Sequence, residues 1–142
     1  MINTALTRKA MIIAYNAHMN QFDKAGVPYI YHPVHLAEQM DTEAACIAAL
    51  LHDVAEDTEI TIEELAIHFP EEVIEALKLL THDDSEDYMK YVERLKSNPV
   101  ARKVKLADLA HNSDLSRLDV VADKDLKRIE KYKNAIMLLE RD

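Results

Sequence analysis

A histidine and three carboxylates stand close together in the stretch ALLHDVAEDTEIT: His52, Asp53, Glu56 and Asp57. The apolar run before them predicts a buried helix, and if that helix continues, His52 and Glu56 share a face, as do Asp53 and Asp57. Like charges at this spacing repel, and the dipole of a helix C-terminus disfavours anions. A cation would offset both costs, so the cluster indicates a metal or catalytic centre. A solvated acidic helix end explains the same spacing, and both interpretations stay open.

Two other stretches contain side chains of the same chemical kinds. PYIYHP places His32 at the junction between a loop and a helix, where a side chain can be held rigidly. VKLADLAHN places Asp108 on a helix whose other turns are apolar. Lys105, Asp108 and Asn112 fall at i, i+3 and i+7, so one face presents a cation, a carboxylate and an amide. A polar outer stripe gives the same spacing, and spacing alone does not choose between the two.

The elements that must position these residues are helices. The chain has one Gly and four Pro among its 142 residues, which favours long helices with short connections. Pro33 suits a first helical turn, Asp41 or Thr42 suits a cap before the apolar helix, and Thr61 with Glu64 suits a capping box. The loop from 21 to 33 is predicted to be extended because two of its residues precede proline. Further helices are expected over about 5 to 20, 33 to 40, 70 to 80 and 123 to 140. The predicted fold class is all-α.

Composition excludes several classes of function. The net charge of −9 counts against binding a nucleic-acid backbone. Cys46 is the only cysteine, which rules out an intramolecular disulfide, and no apolar stretch of about 18 residues predicts a membrane span. With no signal peptide, these features predict a cytoplasmic protein. The charged terminal helix is expected to pack on the bundle, although a contact between two copies of the chain stays open.

At these residues the chain resembles the HD-domain metal-dependent phosphohydrolases, through the pattern H…HD…D formed by His32, His52, Asp53 and Asp108. Within that superfamily, GVPYIYHP, AALLHDVAEDT and VKLADLAHN are similar to the hydrolase domain of the RelA/SpoT alarmone enzymes and their small single-domain relatives. The similarity covers roughly residues 10 to 115, with the motifs in the expected order. It implies a single-domain helical bundle of the HD type over residues 1 to 142.

The resemblance implies a role for each residue of the pattern. His32, His52, Asp53 and Asp108 would ligate one divalent ion, which in this family is usually Mn²⁺. Such an ion would lower the pKa of a bound water and polarise the phosphoryl group. Glu56 and Asp57 would orient or deprotonate that water, or protonate the leaving group. His68, His82 and His111 lack partners at ligand spacing, although His111 adjoins the site helix.

The substrate implied by the resemblance is an alarmone such as ppGpp, cleaved at its 3′-diphosphate with release of pyrophosphate. Lys24 matches a basic residue that the family places near the nucleotide, Asn112 matches an asparagine that contacts nucleotide, and Lys105 lies one turn before Asp108 and could reach a phosphate.

The chain departs from the family pattern around the nucleotide. Asp23 stands where relatives commonly carry an arginine that packs on the purine, and Leu109, Ser113 and Asp114 replace a motif that is usually basic. These departures leave two alternatives: hydrolysis of another nucleotide or small phosphorylated metabolite, and a non-catalytic module that senses nucleotides or binds a partner. The Glu56–Asp57 pair argues for catalysis.

Overall fold

A computed structural model describes residues 1–141, and within them the chain is helical, with no β-strand beyond a single bridge between Phe22 and Pro28. The α-helices are α1 Ala5–Ala17, α2 Tyr31–Glu38, α3 Glu43–Leu51, α4 Val54–Asp57, α5 Ile62–Ala66, α6 Glu71–Leu80, α7 Tyr88–Leu95, α8 Pro99–Asn112 and α9 Asp123–Glu140. A 3₁₀ turn, Leu115–Arg117, joins α8 to the segment before α9. The prediction of an all-α fold is confirmed.

The central element is α3, which packs against α1, α2, α6 and α8. Its residues from Ala45 to Leu51 are all buried, because the sequence there is apolar on every side. Thr42 caps the helix, and its hydroxyl accepts the N–H of Ala45 at 3.1 Å. The helix therefore starts at Thr42, one of the two capping residues that the sequence suggested. Its other end leads directly into His52, which is buried.

Other helix ends also follow local signals. Thr61 caps α5 by accepting the N–H of Glu64 at 3.1 Å, and Asn98 caps α8, with Pro99 as its first residue. Helix α9 spans the predicted residues 123 to 140, whereas α1 ends at Ala17, before the predicted residue 20. None of the helices within residues 1–141 combines the length and the apolar character needed to cross a membrane.

The prediction that His32 is extended is wrong, because α2 begins at Tyr31 and includes His32 in its first turn. Proline disfavours a helical conformation in the residue before it, but Pro33 lies where a helix leaves its N–H groups unpaired. The N–H of His32 bonds the carbonyl of Tyr29 at 3.0 Å, so its backbone is paired within this first turn. His32 is thus fixed by helical backbone rather than by an extended loop.

The loop between α1 and α2 folds back on itself before it reaches His32. Gly26 adopts φ +83°, a conformation that favours glycine, and closes the turn. Asp23 Oδ1 accepts two backbone N–H groups of this turn, at 2.9 and 3.0 Å. The N–H of Tyr29 then bonds the carbonyl of Gln21 at 2.8 Å. This closed loop sets the direction in which Tyr29 leaves the backbone.

Candidate metal centre

The four predicted ligands meet in one place, although they come from three separate parts of the chain. His32 Nε2 lies 2.8 Å from Asp108 Oδ1, and His52 Nε2 lies 2.9 Å from Asp53 Oδ2 and 3.6 Å from Asp108 Oδ1. One ligand atom each from His32, His52 and Asp53 falls within 4.8 Å of the others. His32, His52 and Asp108 are buried, so most of the cluster lies below the protein surface.

The donor set fits a cation because of the way His52 is held. Its Nδ1–H donates to the carbonyl of Ala49 at 2.7 Å, which leaves Nε2 with a lone pair in the neutral ring. Nε2 faces carboxylate oxygens, and among the described residues it makes no hydrogen bond of acceptable geometry. A buried lone pair facing two anions is favourable only if positive charge lies between them. Two imidazoles and two carboxylates suit a divalent transition metal.

A proton would meet the same electrostatic demand. Burial lowers the pKa of His52, but the charges and hydrogen bonds of Asp53 and Asp108 outweigh burial and hold that pKa well above its ordinary value. The site therefore requires a positive charge at Nε2, supplied either by a proton or by an ion.

A break in the helix brings His52 and Asp53 to the same point. Consecutive residues of an α-helix point about 100° apart, since one turn takes about 3.6 residues. Here α3 ends at Leu51, Asp53 adopts φ −103° and ψ −1°, and α4 starts at Val54. The condition under which we expected His52 and Glu56 to share a helical face is therefore not met. The break lets two adjacent side chains aim at one centre.

Both carboxylate oxygens of Asp108 accept hydrogen bonds. Lys105 Nζ donates to Oδ2 at 2.9 Å, and Asn112 Nδ2 donates to Oδ1 at 3.0 Å. Burial raises the pKa of Asp108, but the Lys105 charge and the two histidines outweigh it and hold the pKa well below its usual range. Asp108 is therefore a fixed anion. The contacts of Lys105 lie inside the cluster, and its contact with a substrate phosphate, expected from its position one turn before Asp108, stays a prediction.

Tyr29 contacts the cluster in a way that the sequence did not reveal. Its hydroxyl donates to Asp53 Oδ2. Burial and the charge of Asp53 raise the pKa of Tyr29, so the hydroxyl keeps its proton and remains a donor. The sequence gives no local sign of this hydrogen bond, because Asp53 lies 24 residues away from Tyr29 along the chain.

Glu56 and Asp57 lie on α4 beside the ligands and reach the protein surface. Glu56 Oε1 accepts the N–H of His82 at 2.7 Å, which ties α4 to the segment after α6. Partial burial, followed by the charge of Asp53, raises the pKa of both carboxyls. Carboxyls with raised pKa next to a reacting water can accept and return a proton.

A cavity of about 310 Å³ opens next to the ligands, with Tyr29 and Asn112 in the wall nearest to them. Three cations line it: Lys24, Arg117 and Arg128. It also contains aromatic side chains, Phe22 and Tyr132. Of the predicted substrate residues, Lys24 and Asn112 line this cavity, whereas Lys105 does not.

Two acidic groups hold those cations. Buried Asp125 lies 3.0 Å from Arg128 and 3.6 Å from Lys24, and Asp23 lies 3.4 Å from Arg117. Sequence analysis did not identify Arg117 or Arg128 because each reaches the cavity from outside the recognised motifs. The i, i+3 spacing of Asp125 and Arg128 was the only local signal.

Two of the four residues that depart from the family pattern fall on this wall. Asp23 and Asp114 both line the cavity. Leu109 is buried in the core instead, and the Ser113 hydroxyl has no hydrogen-bond partner among the described residues. The acidic replacements thus change the cavity itself, whereas Leu109 contributes packing.

Several known proteins resemble this chain in sequence. A family model described as HD domain matches residues 10–105, a span that includes His32, His52 and Asp53 and ends before Asp108. Mouse guanosine-3′,5′-bis(diphosphate) 3′-pyrophosphohydrolase MESH1 is 38% identical over 107 residues, which are 67% of this chain and 60% of the mouse protein. A probable guanosine-3′,5′-bis(diphosphate) 3′-pyrophosphohydrolase of Synechocystis is 33% identical over 136 residues, which are 85% of this chain and 18% of the cyanobacterial protein.

A solved structure shares the fold. It is described as a metazoan ortholog of SpoT that hydrolyzes ppGpp and plays a role in starvation responses, and it superimposes with a TM-score of 0.80 at 22% identity. The match covers 98% of this chain and 88% of that one. The helical arrangement is therefore common to both proteins.

Proposed function

The chain belongs to the HD-domain family, and from that membership we propose that it is a metal-dependent phosphohydrolase that removes pyrophosphate from the 3′ position of a ppGpp-like alarmone. The convergence of His32, His52, Asp53 and Asp108 on one point, where His52 Nε2 requires a positive charge, carries the proposal. The names of the mouse and Synechocystis relatives support the substrate class.

The proposed ligands are these four residues, and the proposed ion is Mn²⁺. A divalent ion held there would lower the pKa of a bound water and neutralise charge on the phosphoryl group. Tyr29 orients Asp53 by its hydrogen bond, while Lys105 and Asn112 orient Asp108. The protein thus orients Asp53 and Asp108 before any ion binds.

Glu56 and Asp57 are the proposed groups for proton transfer. Hydrolysis joins a water oxygen to the phosphorus next to the ribose 3′ oxygen and breaks the bond between that oxygen and the phosphorus. One proton leaves the water, and one proton reaches the 3′ oxygen. Glu56 and Asp57 lie beside the proposed ligands, and their raised pKa values suit them to accept the first proton and donate the second. The N–H of His82 holds Glu56 in place.

The cationic cavity is the proposed site for the rest of the nucleotide. A protein with a net charge of −9 repels a polyphosphate at long range. Lys24, Arg117 and Arg128 place positive charge in the wall next to the ligands, where the phosphates must lie. Asn112 stands between cavity and ligands, as a residue that contacts the nucleotide should.

A second candidate is hydrolysis of another nucleotide or a small phosphorylated metabolite at the same centre. Asp23 and Asp114 in the cavity wall favour it, because they place negative charge where the family pattern is basic.

Hydrolysis assays with Mn²⁺ test these proposals. The purified protein is incubated with ppGpp, with its adenine counterpart and with ordinary nucleoside triphosphates. Pyrophosphate released from ppGpp supports the proposal, and turnover of ordinary nucleotides alone supports the second candidate. Asp53→Asn is expected to abolish turnover, whereas Asp84→Asn, at an exposed position, is expected to keep it. Binding without turnover of any substrate would contradict both hydrolytic proposals. A cytoplasmic location and the number of copies in the assembly stay predictions.

A further inference from the structure

His111 contacts the ring nitrogen of His32 that points away from the proposed ion site. His111 Nδ1 lies 2.7 Å from His32 Nδ1, across 79 residues of chain. The two rings are nearly parallel, 6° apart with centroids at 5.0 Å. The other nitrogen of His32, Nε2, lies 2.8 Å from Asp108 Oδ1 and donates to that carboxylate while no ion is bound. His32 thus lies between His111 on one side and the proposed ion site on the other.

We propose that His111 is a positioning residue for His32: its Nδ1 accepts the Nδ1–H of His32 and fixes both the ring orientation and the tautomer that leaves Nε2 free for the ion. The proposal rests on the ligand role of His32 in the proposed function. A short contact between two imidazole nitrogens requires one to donate and the other to accept. An ion on Nε2 of His32 obliges its Nδ1 to carry the proton, so His111 must accept.

The two proposed histidine ligands then follow one rule. Metal-bound histidines generally donate their second ring N–H to an acceptor that sets the tautomer and ring angle. For His52 that acceptor is the carbonyl of Ala49, at 2.7 Å. Among the described residues, the Nδ1 of His32 has His111 Nδ1 in the corresponding position. Without His111, the buried Nδ1–H of His32 would have no acceptor.

His111 is itself held in place by its surroundings. It lies in the last turn of α8, the helix that also carries Asp108. The ring of His35 packs against it with centroids 4.2 Å apart, and Arg117 donates to its backbone carbonyl at 2.8 Å. One helix therefore supplies a ligand directly and orients a second ligand that belongs to α2.

Three variants separate hydrogen bonding from packing. His111→Phe keeps a ring and removes the acceptor, and His111→Asn provides an amide oxygen close to the position of Nδ1. His35→Phe is the matched control, because His35 packs on His111 without a side-chain hydrogen bond to it. Mn²⁺ affinity is measured by calorimetry, and ¹⁵N chemical shifts of His32 in the Zn²⁺-loaded protein report its tautomer.

We expect His111→Phe to weaken Mn²⁺ binding by about 10-fold or more, the usual effect of losing such a partner. His111→Asn should recover most of that loss, and His35→Phe should bind as the parent does. Circular dichroism and thermal melts of the metal-free variants identify any that fail to fold.

Equal affinity of His111→Phe and the parent would overturn the proposal. Equal losses in His111→Phe and His111→Asn, with both folded, would also overturn it, since they would indicate packing alone. These measurements need no nucleotide. A parent protein that binds Mn²⁺ but hydrolyses no substrate would therefore refute the proposed function and leave the role of His111 to be decided by its own variants.

Discussion

At the scale of single residues, the site depends on anions that are held in place by donors from the protein. Asp108 is buried, and its Oδ2 bonds Lys105 while its Oδ1 faces two histidines and an amide. Lys105 is enclosed too, with its ammonium 5.4 Å from the centre of the Tyr91 ring. Such a pair is favourable only while both partners are present.

Replacing Lys105 with Met should therefore destabilise the metal-free protein. The change leaves the Asp108 carboxylate buried without its cation, and we expect the free energy of unfolding to fall by about 3 kcal/mol. Urea denaturation in the presence of a chelator measures it. Lys103→Met is the control, because Lys103 pairs with Asp41 in solvent, 44% and 75% exposed, and should leave stability unchanged within error. Equal effects of both changes would contradict the prediction.

Removing the Tyr29 hydroxyl should weaken the centre without unfolding the chain. Tyr29→Phe keeps the ring but leaves Asp53 without one of its donors. We expect Mn²⁺ affinity and kcat/KM for the alarmone to fall by about 10-fold. Calorimetry and initial-rate assays check this, with Tyr31→Phe as the partner variant, since Tyr31 is 62% exposed. If Tyr31→Phe lost as much, the bond to Asp53 would not be the cause.

How far the sequence predicts the site differs from residue to residue. The proposed ligands could be predicted because their motifs are local, for instance the adjacent His52 and Asp53. His111 and Arg117 could not, since their contacts with His32 and Asp23 join parts of the chain 79 and 94 residues apart. Charge and hydrogen-bond complementarity over such separations leaves no periodic pattern in the sequence.

At the scale of elements, the centre depends on where helices start and stop. Thr42 starts α3, and the stop after Leu51 directs His52 and Asp53 to one point. The start could be predicted, because a capping hydroxyl acts within one turn. The stop could not, because the stretch has no proline or glycine to mark it.

Thr42→Ala tests the contribution of the cap. The change removes the bond to the Ala45 N–H, and we expect a loss of about 1 kcal/mol in the free energy of unfolding. Urea titration followed by circular dichroism gives the value. Thr42→Ser retains the hydroxyl and should lose much less. A serine variant as unstable as the alanine variant would assign the effect to the methyl group instead.

At the scale of the whole molecule, a strongly acidic chain lines one cavity with three cationic side chains. Lys24, Arg117 and Arg128 line that cavity, whereas the overall charge is −9. The fold class followed from the scarcity of glycine and the helical periodicity. The cavity did not, since it forms only when the loop after α1, the 3₁₀ turn and α9 pack together.

Binding of an ion should stabilise the whole fold. A ligand that binds only the folded state adds about 2.7 kcal/mol when present at about 100 times its dissociation constant. We therefore expect Mn²⁺ to raise Tm and a chelator to reverse the rise in thermal scans. His52→Ala should abolish the response, whereas His68→Ala, at an exposed histidine, should keep it. A response that survives in His52→Ala would place the ion elsewhere.

The segments that carry the proposed ligands lie far apart along the chain, in α2, after α3 and in α8. An ion bound by all three segments would join them much as a reversible cross-link does. It would restrict the ways in which the bundle can open locally. Loading state would then govern how readily proteases cut the intervening connections, and the lifetime of the protein would depend on the supply of free metal.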